Sequence, residues 1–228
     1  MLGAQTLRKD ILLSWSSGKD SAWALHLLSR RKDVRIAALV TTFNRAFNRV
    51  AMHGVRRAVV EAQAERTGIP LWPVELPWPC SNVEYEEIMR AVCRRAVAQG
   101  IGAVAFGDLF LEDIRSYRER QLAGTGLEPL FPVWKIPTRQ LALEMIAAGA
   151  KAKITCVDPA KLDRSYAGRD FDLAFIESLP EHIDPCGENG EFHTFVFDGP
   201  NFKEPVRFAQ GETVQRDRFW FCDLLPEC

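Results

Sequence analysis

Ile11-Leu12-Leu13-Ser14-Trp15-Ser16-Ser17-Gly18-Lys19-Asp20-Ser21 is the stretch whose reading decides the fold. Ile11 to Trp15 is short and almost wholly apolar, as a strand buried on both faces requires. Ser21 to Arg31 carries the spacing of an amphipathic helix, and a loop of small residues joins the two. The alternation continues down the chain. Arg35 to Thr41 reads as a second strand, and Val55 to Thr67 as a helix stopped by Gly68. Leu71 to Glu75 is a third strand, Val83 to Gln99 a helix and Ala103 to Phe106 a fourth strand. Glu112 to Ala123 is a helix ended at Gly124, and Leu130 to Val133 a fifth strand. Apolar strands separated by helices predict an α/β fold, a doubly wound parallel five-stranded sheet, over residues 1–135. Beyond it come a helix (Arg139 to Ala148), a strand (Lys151 to Val157) and short strands with Gly and Pro. Residues 136–228 are therefore expected to form a smaller α+β domain packed against the strand C-termini.

Composition narrows the function classes. The 228 residues are 47% hydrophobic and 26% charged, as in a soluble globular protein. No apolar run reaches the ~18 residues of a membrane helix. With 29 basic and 30 acidic residues there is no field to gather nucleic acid, which is not an expected partner. The N-terminus lacks the basic-then-apolar order of a signal peptide, so a cytoplasmic location is expected. None of the six cysteines forms a C-x-x-C pair; structural thiols are expected, Cys186 included. Pro70, Pro73, Pro77 and Pro79 fall within ten residues, which predicts a loop, structural or substrate-facing, and not a sheet interior.

In a doubly wound sheet the turn after the first strand lies at the ligand-binding edge, and the following helix points free N–H groups at it. Ser14, Ser16, Ser17, Gly18, Lys19, Asp20 and Ser21 are the candidate phosphate loop. Small residues let the backbone approach phosphate, Ser16 and Ser21 offer hydroxyls, and Lys19 offers a charge. This is not a Walker A loop, because Asp20 follows Gly-Lys. A carboxylate beside phosphates needs a bridging cation, so Asp20 implies Mg²⁺.

Two further segments carry polar groups. In Pro185-Cys186-Gly187-Glu188-Asn189-Gly190-Glu191-Phe192-His193-Thr194-Phe195, the glycines predict a tight turn that exposes Glu188 and Asn189. Glu191 and His193 then share one strand face, with Phe192, Thr194 and Val196 on the other. A polar hairpin and a substrate site both fit these residues. Gly107 and Asp108 end the fourth strand at the ligand edge, where Asp108 either caps the next helix or touches Mg²⁺ or substrate. His53 is either a helix cap or a ribose or substrate contact. His26 and His182 read as structural.

Ser16 to Ser21 resembles the S-G-G-x-D-S loop of PP-loop ATP pyrophosphatases. Its Gly-Lys-Asp-Ser ending, and the similarity of Gly187 to Thr194 to G-E-G-G-E-x-x-T, resemble the diphthine–ammonia ligase-like group. Asp108, Arg118-Glu119, Gly126-Leu127 and Pro132-Val133-Trp134 extend the resemblance, which runs from about Ile11 to Pro205. It implies ATP and Mg²⁺ as cofactors and cleavage of ATP between α and β. It implies an acyl-adenylate, made from a small-molecule or protein-borne carboxylate and attacked by ammonia, free or from an external donor. Lys19, Asp20, Asp108, Glu188 and Glu191 take catalytic places, and Thr41, Thr42 and Gly107 join the ATP side. His53, Arg118, Glu119, Gly187, Glu188, Asn189, Gly190, Glu191, His193 and Thr194 fall on the substrate side. A homodimer is compatible with this. Ser17 and Asn189 stand where the group has glycine; if position 17 needs φ > 0, serine costs roughly 1 kcal/mol. The rival readings are a non-catalytic adenine-nucleotide sensor, a PP-loop tRNA-modifying enzyme and a Walker-type ATPase.

Overall fold

A computed structural model describes residues 8–51 and 53–227. The N-terminal part alternates as β1 (Lys9–Ser14), α1 (Lys19–Ser29), β2 (Val34–Asn44), β3 (Arg49–Val50), α2 (Arg57–Thr67), β4 (Leu71–Leu76), α3 (Asn82–Ala98), β5 (Ala103–Ala105), α4 (Glu112–Leu122) and β6 (Glu128–Leu130). The five parallel strands stand in the order β4-β2-β1-β5-β6. Numbered as parallel strands this is 3-2-1-4-5, the doubly wound order, and the winding reverses between β1 and β5. A crevice opens there, at the C-terminal ends of those two strands.

Three features depart from the sequence reading. The fifth parallel strand pairs with β5 through Glu128–Leu130 and meets the expected Leu130 to Val133 only at Leu130. β2 runs on to Asn44 and folds back through β3, which pairs antiparallel with Phe43 and Asn44. The turn is held by Asn44, whose Oδ1 accepts the N–H groups of Ala46 and Phe47. The proline-dense segment is also more regular than a loop. Pro73 lies within β4, opposite Thr41, but β4 pairs with β2 alone. On an edge strand the missing N–H can face away from the ladder, so proline is tolerated. Along β4, Trp72, Val74 and Leu76 are buried, while Pro73 and Glu75 point outward.

Alternation along the strands divides the core. Ile11, Leu13 and Trp15 pack with Trp23 and Leu25 of α1 and Val59 and Val60 of α2. Leu12, Val40 and Val104 face Cys93 and Ala96 of α3 and Leu122 of α4. The first of these faces continues into the C-terminal part, whose Ile154, Phe175, Phe192 and Phe195 belong to the same buried cluster.

That part comprises α5 (Thr138–Ala147), β7 (Lys151–Val157), a 3₁₀ turn (Arg164–Tyr166), α6 (Leu173–Ser178), β8 (Phe192–Asp198), β9 (Phe208–Arg216) and β10 (Phe219–Pro226). Its four strands form an antiparallel sheet in the order β8-β7-β10-β9. The two sheets are joined by polar contacts as well as by core. Asp223 of β10 accepts from Arg49 of β3 and from Arg56 just before α2. Among the described residues no helix is long and apolar enough to cross a membrane.

Candidate active site

The loop after β1 owes its shape to distant residues. Ser17 has φ +70°, the conformation that glycine adopts most easily. Its carbonyl accepts two hydrogen bonds, from the Val196 N–H of β8 and from Gln63 Nε2 of α2, both at 3.0 Å. Gln63 is fully buried; it also accepts from Trp15 Nε1 (2.7 Å) and donates to the Val196 carbonyl (2.6 Å). Nothing in the sequence reading singled out Gln63. The available signal was its place on the apolar stripe of α2 with Val59, Val60 and Ala64.

Gly18 is the N-cap of α1 and places no side chain over the first turn. A Cβ there would stand 3.0 Å from His53 Cε1 and 3.2 Å from the Thr194 carbonyl. One first-turn donor is already engaged, since the Lys19 N–H goes to Thr194 Oγ1 at 3.0 Å. Gly107 serves the loop by close approach: a Cβ on it would lie 2.9 Å from the Asp20 carbonyl carbon and the Ser21 nitrogen. The hydroxyls of Ser16 and Ser21 are 3.2 Å apart, and Ser16 Oγ accepts the Gly18 N–H.

The charged groups converge from both halves of the chain. Lys19 is buried, and its ammonium donates to Asp20 Oδ2 (2.9 Å) and to the Cys186 carbonyl, between the rings of Phe171 and Phe192. Burial works to lower the Lys19 pKa, but the Asp20 carboxylate and its neighbours outweigh it and hold the amine cationic. Asp20 Oδ1 is buried without a hydrogen-bond partner. Glu188 reaches across to accept the Leu109 N–H on Oε1 at 2.8 Å. Burial pushes its carboxyl up to about 7 against the opposing pull of that N–H. Asp108 does not cap α4, whose N-cap is Leu111. Its carboxyl is raised by burial, with Arg118 Nε 3.5 Å from Oδ2 working the other way.

The turn at 186–191 is tight, with positive φ at Gly187 and Gly190, but it does not expose both polar residues. Asn189 is exposed, whereas Glu188 is turned into the crevice. Glu191 folds under its own turn, where Oε1 accepts from the Asp184 N–H (3.2 Å) and Asn189 Nδ2 (3.1 Å). It lines neither chamber of the crevice. Glu119 likewise stays outside, paired with Arg115 at 2.8 Å. Thr41 is a buried brace donating to the Trp15 carbonyl, while Thr42 faces the crevice. The His53 and His193 rings pack together with centroids 4.6 Å apart and planes tilted by 35°. Burial lowers His53 to about 4 and keeps His193 neutral. The Thr194 carbonyl, an acceptor only, lies 3.3 Å from His53 Nδ1 and so fixes the proton there, leaving Nε2 as an acceptor. Cys186 Sγ donates to the Thr138 carbonyl, and burial pushes the thiol far up, which suits a structural role.

The crevice has two connected chambers. The smaller, about 230 Å³, is lined by Lys19, Asp20, Ser21, Gly107, Asp108 and Glu188 among others. The larger, about 760 Å³, lies under α3 and α4 with Leu12, Val40, Met89 and Val104 in its walls. Among the described residues no three His, Cys, Asp or Glu side chains converge on one metal position. An ion at Asp20 would take its remaining oxygens from phosphate and water, and the orphaned Asp20 Oδ1 suits it.

Two family models match in succession: the diphthamide synthase N-terminal domain over residues 9–129 and the diphthamide synthase C-terminal domain over residues 137–224. A Danio rerio protein named diphthine–ammonia ligase is 28% identical over 177 residues, covering 70% of this chain and 69% of that one. The Homo sapiens protein of that name is 29% identical over 144 residues, covering 59% of this chain and 52% of the other. The match thus spans about half the length of the human relative. A solved U34-tRNA thiolase from Methanococcus maripaludis aligns over 64% of this chain and 60% of its own, with a TM-score of 0.39 and 20% identity, a likeness too slight to build on.

Proposed function

This chain belongs to the diphthamide synthase family of carbon–nitrogen ligases, and from that premise we propose that it is an ATP-dependent, amide-forming ligase that releases AMP and pyrophosphate. Residues 1–135 are the nucleotide-binding PP-loop domain in this reading, and residues 136–228 the substrate-binding domain. The observation that carries it is one crevice at the β1/β5 switch point, where the helix N-terminus, Asp20 and Glu188 share a small polar chamber that opens into a larger, more apolar one.

The nucleoside occupies the larger chamber, against Val104, Met89 and Thr42. The β- and γ-phosphates enter the smaller one, where the open N–H groups of α1 and the Ser16 hydroxyl receive them, while the Ser21 hydroxyl is spent on the Gly18 carbonyl. Asp20 Oδ1 would hold Mg²⁺, which, when bound, offsets the phosphate charge. An oxygen of the substrate carboxylate bonds to the α-phosphorus as the bond to the bridging oxygen breaks, and that electron pair leaves with pyrophosphate. Ammonia, free or from a separate donor, then bonds to the acyl carbon, and AMP leaves. The nitrogen must shed a proton. Glu188 is suited to accept it, because Leu109 holds Oε1 and leaves Oε2 free, and its raised pKa lies near the working pH. The carboxylate is a small molecule or is carried on a protein.

The test is direct. Protein, ATP and Mg²⁺ are incubated with candidate carboxylates and ammonium, and the nucleotides are separated by chromatography. AMP with pyrophosphate is the expected outcome. ADP with phosphate, or ATP bound but never turned over, would overturn the reading in favour of an ATPase or a nucleotide sensor.

A further inference from the structure

We infer that Arg118 is the catalytic cation at the α-phosphate, placed where the two chambers meet. The inference rests on the proposed occupancy: nucleoside in the large chamber, terminal phosphates in the small one. The α-phosphorus then lies at the junction. Ser14, Ser16, His53, Phe106 and Arg118 line both chambers. Arg118 is the one permanent cation among these five. His53 is kept neutral by burial and cannot replace it. Lys19, the other cation of the small chamber, is already engaged by Asp20 and the Cys186 carbonyl.

The local geometry leaves Arg118 able to donate. Its side chain is 25% exposed, and its guanidinium stacks over Phe106 at 5.0 Å and near Tyr117 at 6.0 Å. Stacking fixes the plane without consuming the N–H groups along its edge. Arg118 Nε is buried and ion-paired with Asp108 Oδ2 at 3.5 Å, which holds the side chain, so the donors left for a ligand are the terminal N–H groups of the part-exposed guanidinium. A non-bridging α-phosphate oxygen would complete the guanidinium's hydrogen bonding. As the carboxylate oxygen adds and pyrophosphate departs, Arg118 donates hydrogen bonds to that oxygen and transfers no proton. Preorganised donors of this kind act where charge develops.

The test compares adenosine and AMP, which differ by the α-phosphate. Calorimetry with wild-type protein should show AMP binding more tightly than adenosine. In Arg118→Gln the AMP affinity should fall by about tenfold or more while adenosine affinity holds. Release of pyrophosphate should fall by roughly 10²–10³-fold in kcat, with a smaller change in KM for ATP. Arg118→Lys, which keeps the charge and loses the fork, should restore part of both, and it serves the same comparison where Arg118→Gln unfolds. Equal losses for adenosine and AMP would make Arg118 a wall of the nucleoside chamber and overturn the assignment. So would intact AMP binding with a raised KM for the carboxylate substrate alone. If wild-type protein binds neither adenosine nor AMP, the proposed occupancy fails first, and the assignment falls with it.

Discussion

Val196 donates its backbone N–H to the Ser17 carbonyl at 3.0 Å, so a strand of the C-terminal sheet finishes the turn that precedes α1. The candidate phosphate loop therefore belongs to neither half of the chain alone. Gln63 locks the same joint from α2, bonding Trp15, Ser17 and Val196 together.

Gln63→Leu leaves the Trp15 indole N–H and the Val196 carbonyl buried without that partner. At ~1–3 kcal/mol for each of these two groups, the substitution should lower stability by about 2–6 kcal/mol. Urea denaturation measures this, and calorimetry should show weakened ATP binding even where the protein remains folded. Unchanged ATP affinity in a folded variant would show that the loop keeps its shape without the clip.

Ser17→Gly should act in the opposite direction. It relieves a non-glycine residue at φ +70° and removes a buried hydroxyl that has no hydrogen-bond partner. Against this stands the greater freedom of glycine in the unfolded chain. A net gain of up to about 1 kcal/mol is expected, read as a higher melting temperature. A fall in stability would mean that the Ser17 side chain contributes packing that outweighs its strain.

Gly107→Ala adds a methyl group where the neighbour is backbone, 2.9 Å from Asp20 and Ser21. Backbone cannot swing aside as a side chain can, so α1 or the β5–α4 connection must shift. A cost of about 1–3 kcal/mol is expected. ATP affinity should fall by more than the loss of stability explains, because the shift is applied to the first turn of α1. Calorimetry beside thermal unfolding separates the two effects.

The link between Asp223 and the Arg49 and Arg56 side chains predicts a pH dependence. Burial raises the Asp223 carboxyl, but hydrogen bonds from Arg49 and Arg56 overcome this and hold it well below the ordinary 3.8. A depressed folded pKa contributes stability above the unfolded value and loses it as pH falls toward the folded one. Wild-type melting temperature should therefore drop as the buffer passes below about pH 4. Asp223→Asn should start lower at neutral pH and drop less steeply over that acid range. Parallel acid limbs in the two proteins would remove Asp223 from the explanation.

How far the sequence foretold this arrangement depended on the range of each interaction. Four of the parallel strands were legible as local apolar runs, and Gly68 as the end of α2; the fifth, Glu128-Pro129-Leu130, is not such a run and was expected two residues too late. The edge position that makes Pro73 acceptable was not, since strand order is a property of the whole sheet. Alternation assigned faces to Glu191 and His193 but not destinations: Glu191 bonds within its own turn, while His193 faces the crevice. Gln63 looked like one more polar helical residue until its partners, 46 and 133 positions away, were in place. Lys19 shows the same limit, because its ammonium is directed by a carbonyl 167 residues downstream.

The separation between Lys19 and Thr194, 175 residues, has a bearing on how the protein is made. The first sheet can emerge from the ribosome and collapse around Ile11, Leu13 and Leu39, in the usual N-terminal-first order. Its loop, however, stays without the Val196 and Thr194 bonds until β8 has left the exit tunnel. A nascent chain that stops short of β8 thus holds every strand of the first sheet but neither the Thr194 nor the Val196 bond that completes the loop. If the loop is the nucleotide site proposed above, nucleotide can stabilise only a chain that already includes β8.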